Sequence, residues 1–260
     1  MSRLKAQRRF ATGPFKLIET PAHAQNVSKP YDPYVEAASI MALAHNIIIR
    51  GLNSIYLQAP NIKPGDYSSF ISYSQCWAEL LDEHHAMEEN VLFPAIEAKT
   101  GEVGIMDVNV EQHHAFLPGL TAFNEYLTTS STNPKSFSGS HLNNLITSFA
   151  PSLTTHLADE IPSLLSLSRF GACLPLLQLI NTQGVKSPLY LSKTGGVPFF
   201  ARNLDVEFED GRWRDWPMPW IARWVIVKTV GRWNAGWWKW ASCDESGRLR
   251  ELEGFGNDAS

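Results

Sequence analysis

The chain's 260 residues are enough to bury a sizeable core, as one large domain or one domain with a substantial appendage, and an apolar share of 44% is ordinary for a globular protein. A formal net charge of -4 and a pI near 6.1 leave no basic face and exclude nucleic acid as a partner. Three widely spaced cysteines, Cys76, Cys173 and Cys243, exclude a disulfide framework and a zinc ribbon and point to a reducing, cytoplasmic setting.

Residues 1–18 carry Arg3, Lys5, Arg8, Arg9 and Lys16 without an acidic residue. This faintly resembles a mitochondrial transit peptide, but a disordered basic tail is the expectation, within an N-terminal tail spanning 1–33. No run of eighteen apolar residues is present, so no transmembrane segment and a soluble chain are expected.

From Tyr34 a helical period runs through Val35, Ile40, Leu43, Ile47, Ile48, Leu52 and Ile55 to a stop at Pro60, with His45 among the apolar positions. A second helix is predicted from about Tyr67 to Lys99, bent at Pro94 and ended by Thr100-Gly101. A third spans about Asp107 to Leu127 with a kink at Pro118, followed by a Ser/Thr-rich loop from Thr128 to Ser140. A fourth runs from about His141 to Leu167, interrupted by Pro151 and Pro162, and Ala172–Ile180 extends it. Four long helices with short connections predict an all-α antiparallel four-helix bundle over 34–182. Residues 183–260 form a Gly/Pro/Trp-rich extension packed on that bundle. Within it 183–218 reads as mostly irregular, with a short strand at Leu204–Phe208 and a helix opening at Pro219. Glu245–Ser260 reads as a frayed tail, and no solenoid repeat is present.

The bundle helices share a chemical pattern. His84 and Glu88, four apart on one helix, point the same way, and His156 and Glu160 repeat the arrangement. Single histidines, His45 and His113, sit on the other two helices. Counted from the loop centres at about 1.5 Å per residue, the four histidines agree in depth to within about 8 Å, so they can meet at one level. Imidazole with carboxylate suits iron, manganese or zinc. Four imidazoles and two carboxylates exceed the four donors of a structural zinc and fit two adjacent six-coordinate ions bridged by carboxylates, with positions left for solvent or a small molecule.

These motifs carry a resemblance. The stretches His45-Asn46 with Arg50-Gly51-Leu52-Asn53, His84-His85 through Glu88-Glu89 to Leu92-Phe93-Pro94, Glu111-Gln112-His113-His114-Ala115-Phe116, and His156-Leu157 with Asp159-Glu160-Ile161 resemble the haemerythrin-like, or HHE cation-binding, domain over about Tyr34 to Leu167. The filamentous-fungal branch is most similar, with its aromatic extension matched by Pro217–Trp220 and Trp237–Cys243. The resemblance implies a non-haem di-iron centre (Fe2+/Fe3+, with manganese or a mixed pair as variants) held by His45, His84, Glu88, His113, His156 and Glu160, with Glu88 and Glu160 bridging. It implies a partner such as O2 or another small diatomic. One departure stands out. Oxygen-carrying members have a second histidine one turn further along the third helix, where this chain has Leu117. That loss opens a coordination position or lets His114, His85 or Glu89 substitute, and fewer imidazoles per carboxylate favour the higher oxidation state.

Among the remaining groups, His85 and His114 are turned about 100° from their neighbouring ligands and read as outer or interface groups. Asp159 and Glu89 read as orienting ligand imidazoles or as solvated, His23 and His141 as exposed, and Cys76 as core. Eight of nine tryptophans fall between Trp213 and Trp240, which predicts an aromatic lid on the bundle, with a partner or lipid surface as the competing reading. Two functions follow. One is an O2, iron or nitric-oxide responsive module. The other is a di-iron oxidase or oxygenase acting on a small metabolite in fungal specialised metabolism, with Trp213, Trp216, Trp220 and Trp224 as a pocket wall.

Overall fold

A computed structural model describes residues 9–253, with the side chains of 185–188 outside the description. In chain order the helices are α1 (Pro21–Ala24), α2 (Pro33–Gln58), α3 (Tyr67–Met87), α4 (Phe93–Thr100), α5 (Asp107–Thr132), α6 (Gly139–Ser166), α7 (Leu176–Tyr190), α8 (Gly196–Asn203), the kinked turn α9 (Phe208–Gly211) and α10 (Trp220–Lys228). Helices α2, α3–α4, α5 and α6 form the bundle.

Helix α2 begins where Asp32 accepts the amide hydrogens of Tyr34 and Val35, with Pro33 supplying its preset φ at the first helical position. By length and composition Pro33–Asn61 could cross a membrane, but 83% of its apolar window is buried inside the protein. It is buried all round because the bundle covers one side and the chain termini the other.

The N-terminal residues from Arg9 on are not a loose tail. Asn46 and Asn53 of α2 each clamp a passing backbone, exchanging two hydrogen bonds of 2.8 Å with Ile18 and with Phe15 respectively. Ala11, Thr20 and Ala22 are buried as a result. The remainder of the predicted basic tail, including Arg3, Lys5 and Arg8, lies outside the described residues.

The second predicted helix is continuous but not uniform. Between α3 and α4 a π-turn spans Glu88–Leu92, and the Phe93 amide reaches back five residues to the Glu88 carbonyl. Pro94 crowds the carbonyl four residues before it. The extra residue of the π-turn is inserted there, and helical dihedrals continue through Leu92 and Phe93. Gly101, at φ +72°, ends α4 in the left-handed conformation.

Pro118, Pro151 and Pro162 lie inside unbroken helices. The predicted Thr128–Ser140 loop shrinks, because Thr128, Ser131 and Thr132 hydroxyls bond back to carbonyls three or four residues earlier and carry α5 on to Thr132. At the start of α6 Gly139 meets the chain after α2. A Cβ there would stand 1.7 Å from the Ala59 carbonyl oxygen.

The C-terminal third is more helical than predicted. Helices α7 and α8 replace the irregular stretch, and no strand occurs among the described residues; one isolated bridge joins Cys243 to Leu249. Instead of a strand, Leu204–Phe208 makes a turn in which the buried Asp205 accepts the Glu207 amide hydrogen and pairs with Arg50 at 2.7 Å. The Gly195-Gly196 pair is a packing requirement rather than a chain breaker, since a Cβ on Gly196 would lie 3.0 Å from both Glu79 Oε2 and a Leu191 methyl. Trp238 and Trp240 enter the main core beside Phe70, and Trp213 packs on Tyr31 at 5.5 Å. Leu252 is buried and its amide donates to the Arg9 carbonyl, so the predicted frayed tail is pinned at least to Glu253; residues 254–260 lie outside the description.

Candidate metal centre

The six sequence-predicted ligands converge in the middle of the bundle, and His85 joins them. Their donor atoms fall into two groups, His45, His84, Glu88 and Glu160 on one side and His85, Glu88, His113 and His156 on the other, each with all its donor atoms within 4.8 Å of one another. Glu88 belongs to both.

The outer ring nitrogens are committed elsewhere. His45 Nδ1 donates to the Leu157 carbonyl at 2.8 Å and His113 Nδ1 to Glu89 at 2.6 Å. His156 Nδ1 donates to Gln112 at 3.2 Å, and the Gln112 amide is held by Asp159 at 3.1 Å. With Nδ1 carrying the proton, Nε2 of each ring presents a bare lone pair to the interior. Yet His113 Nε2 and His156 Nε2 stand 2.9 Å apart, and His45 Nε2 and His84 Nε2 stand 3.0 Å apart. For His113 and His156, both with Nδ1 committed, two inward lone pairs at that distance repel unless a cation lies between them. Two nitrogens at right angles on one ion, each at roughly 2.0–2.1 Å, are about 3 Å apart. The carboxylates complete the argument. His84 Nε2 is 3.0 Å from Glu88 Oε1, and His45 Nε2 is 3.3 Å from Glu160 Oε2. All four oxygens of Glu88 and Glu160, and Nε2 of His85, are buried without a hydrogen bond. Orphaned buried polar atoms are rare and ask for a missing partner. The residues present fit a pair of cations.

The electrostatics agree. Burial, reinforced by neighbouring imidazoles, holds His45 and His85 well below the usual imidazole range and pushes His156 down to about 2. Burial also lowers His84, and it lowers His113 against the opposing pull of Glu89. Burial and the adjacent Glu160 carboxyl push Glu88 well up, and burial raises Glu160. Neutral imidazoles are ready to ligate, whereas two close carboxylates in a dry site can both ionise only beside positive charge.

His85 corrects the reading that it is an outer group. Its ring lies 4.2 Å from that of His113 and 5.5 Å from that of His156. Leu117, where oxygen-carrying members have a histidine, is half exposed, whereas His85 Nε2 is buried and unpaired within the second group. Successive residues of a helix point about 100° apart, and the directions from one corner of a four-helix square to its two neighbours differ by about 90°. So His84 faces α2 and His85 faces α5. The doublet was the available signal. His114 is exposed, as is Asp159, which acts only through Gln112. Glu89 orients His113, and His141 is exposed as expected, while His23 is partly covered and bonds Glu19.

The aromatic extension does not reach the site. Trp213 packs on Tyr31, Trp216 on Phe200 at 6.2 Å, and Trp220 and Trp224 face outward. Close to the centre lies a 340 Å³ cleft between α5 and α6, lined by Gln112, Ala115, Pro151, Ser152 and Thr155. Gln112, bonded to His156, separates the cleft from the donors.

Comparison with known proteins agrees with this geometry. Residues 37–165 match the model of the haemerythrin HHE cation-binding domain. The chain is 32% identical over 246 residues, covering 92% of its own length and 90% of the relative's, to the dimeric xanthone biosynthesis cluster protein R11 of Cryptosporiopsis sp. (strain 8999). No solved structure matches. With its donors gathered at one level of a helical bundle, the chain belongs to the haemerythrin HHE cation-binding family.

Proposed function

We propose that this protein holds two iron ions and reacts with O2 as a binding or sensing module. The observation that carries this reading is the pair of donor groups sharing Glu88 in the bundle interior, every donor residue but His84 being buried. His45, His84 and Glu160 would hold one ion and His85, His113 and His156 the other, with Glu88 within reach of both. Five imidazoles and two carboxylates exceed the four donors of a structural zinc and would suit two iron ions. When bound, iron supplies one-electron redox chemistry and affinity for small diatomics. The chain's own residues fix the imidazole tautomers through Leu157, Glu89 and Gln112, exclude water, and deny an organic substrate room. Free Cys76, Cys173 and Cys243 accord with a cytoplasmic location.

The relative's assignment to a xanthone biosynthesis cluster favours a second reading, a di-iron oxidase or oxygenase acting on a small metabolite. Anaerobic loading with ferrous iron followed by admission of O2, read in the visible spectrum, separates the two. A band that appears and vanishes on purging supports the module. A lasting change with O2 consumed supports the enzyme. Failure to load two irons refutes both.

A further inference from the structure

Helix α10 is turned inside out. Its buried residues are Arg223 and Val227, with the Arg223 guanidinium donating to the Ser246 carbonyl. Its outward residues are Trp220 (62% exposed), Ile221 (57%), Trp224 (52%) and Val225 (44%), and Trp233 just beyond it is 76% exposed. Trp220 with Trp224, and Ile221 with Val225, are four apart and form one stripe along the helix. A surface helix selected only for folding buries its apolar stripe and exposes its arginine. Here the reverse holds, so the stripe serves something outside the fold.

We propose that this stripe docks the protein on the surface of an anionic lipid bilayer, lying in the interface without crossing it. Three observations select lipid. First, tryptophan dominates the stripe. The indoles of Trp213, Trp238 and Trp240 find acceptors inside the protein in Glu209, Gly231 and Ser69, whereas those of Trp220, Trp224 and Trp233 have none among the described residues. An apolar ring with a free N–H is what the headgroup boundary accommodates. Second, the stripe carries an unpaired positive charge and no acidic residue. Of the four basic residues from Trp216 to Cys243, Arg223 is buried, Lys228 pairs with Glu245 and Lys239 with Asp66, which leaves Arg232. Arg232, beside Trp233, is exposed and makes no ion pair among the described residues. An exposed arginine beside an exposed tryptophan, on a stripe without carboxylates, matches anionic headgroups. A second copy does not, because the stripe contains no carboxylate to meet the Arg232 of its twin. Third, nine residues of helix span about 13 Å, well short of the roughly 30 Å hydrocarbon core, so α10 lies flat.

The test is co-sedimentation of the full, metal-loaded chain with vesicles of phosphatidylcholine alone and of phosphatidylcholine with phosphatidylserine. Wild type is expected to bind the anionic vesicles at least about tenfold more tightly than the neutral ones. The triple variant Trp220→Gln, Trp224→Gln, Trp233→Gln should lose roughly tenfold or more of that binding while keeping its metal content and melting temperature. Arg232→Glu, which leaves the tryptophans in place, should lose about tenfold. Absence of binding to anionic vesicles, equal binding to neutral ones, or binding unchanged in the triple variant would overturn the proposal. So would self-association of wild type in solution that the triple variant abolishes, since the occupant would then be a second copy.

Discussion

Replacing His85 by leucine should stabilise the metal-free protein and cut the further stability that metal adds. In the metal-free fold the buried Nε2 of His85 has no hydrogen bond, a state that costs about 1–3 kcal/mol. Leucine removes that orphan and packs on Phe116, whose ring centre is 5.1 Å from the imidazole. At roughly 2–4 °C per kcal/mol for a chain of this size, melting in chelator should rise by about 2–10 °C. With metal an opposing cost enters. The group of His85, Glu88, His113 and His156 drops to three protein donors. Loss of an outer partner of a ligand typically weakens a metal about 10–100-fold, and loss of a ligand itself should reach at least the upper figure. By linkage a 100-fold weakening removes about 2.7 kcal/mol of metal-dependent stability, so the metal-induced rise in melting temperature should shrink in the variant by roughly 5–11 °C. The assays are elemental analysis, expected to fall from two ions per chain toward one, and calorimetry with chelator and with anaerobic ferrous iron. A variant that melts lower without metal and still retains two ions would refute the reasoning, because His85 would then be a satisfied core residue.

Arg50→Met strands the buried Asp205 carboxylate, 2.7 Å from the guanidinium in wild type, and should cost about 3–5 kcal/mol; Arg50→Met with Asp205→Leu should recover most of it, both read by denaturant unfolding. Gly139→Ala drives a Cβ into the Ala59 carbonyl and should destabilise by about 1–3 kcal/mol or more, and unchanged melting would show that the two segments part freely. The pH dependence of the metal-free protein follows from seven groups. His45, His84, His85, His113 and His156 are lowered from 6.5, so the unfolded chain takes up protons that the folded one refuses, and stability drains away as pH falls through 6.5. Glu88 and Glu160, raised from 4.5, act the other way, since the folded protein takes up their protons first. Five imidazoles outweigh two carboxyls while the unfolded histidines are mostly charged, so stability should climb between about pH 5 and pH 6 by roughly 1.4 kcal/mol per unit or more and level off near 6.5; a flat profile from about pH 5 to 6 would contradict the buried, neutral state of the histidines.

The sequence by itself determined the bundle and most of the donors. A 3.6-residue apolar period is written residue by residue, and a histidine with a carboxylate four positions on must share a face, so α2, α3, α5, α6 and the pairs His84/Glu88 and His156/Glu160 were legible without coordinates. The common depth of His45, His84, His113 and His156 followed from helix rise alone. What packing decides stayed out of reach. Whether His85 is a donor depends on which neighbour the second face of α3 meets. Whether Gly195-Gly196 breaks the chain or lets α8 settle on Glu79 depends on how close two helices come. The N-terminal segment is ordered by Asn46 and Asn53 of α2, tens of residues away in sequence, and no local propensity reports a partner that distant. The same holds for the tryptophans. Composition located the cluster, but only the tertiary structure sorted Trp238 and Trp240 into the core and turned Trp220, Trp224 and Trp233 outward, because burial belongs to the assembled fold and not to the side chain.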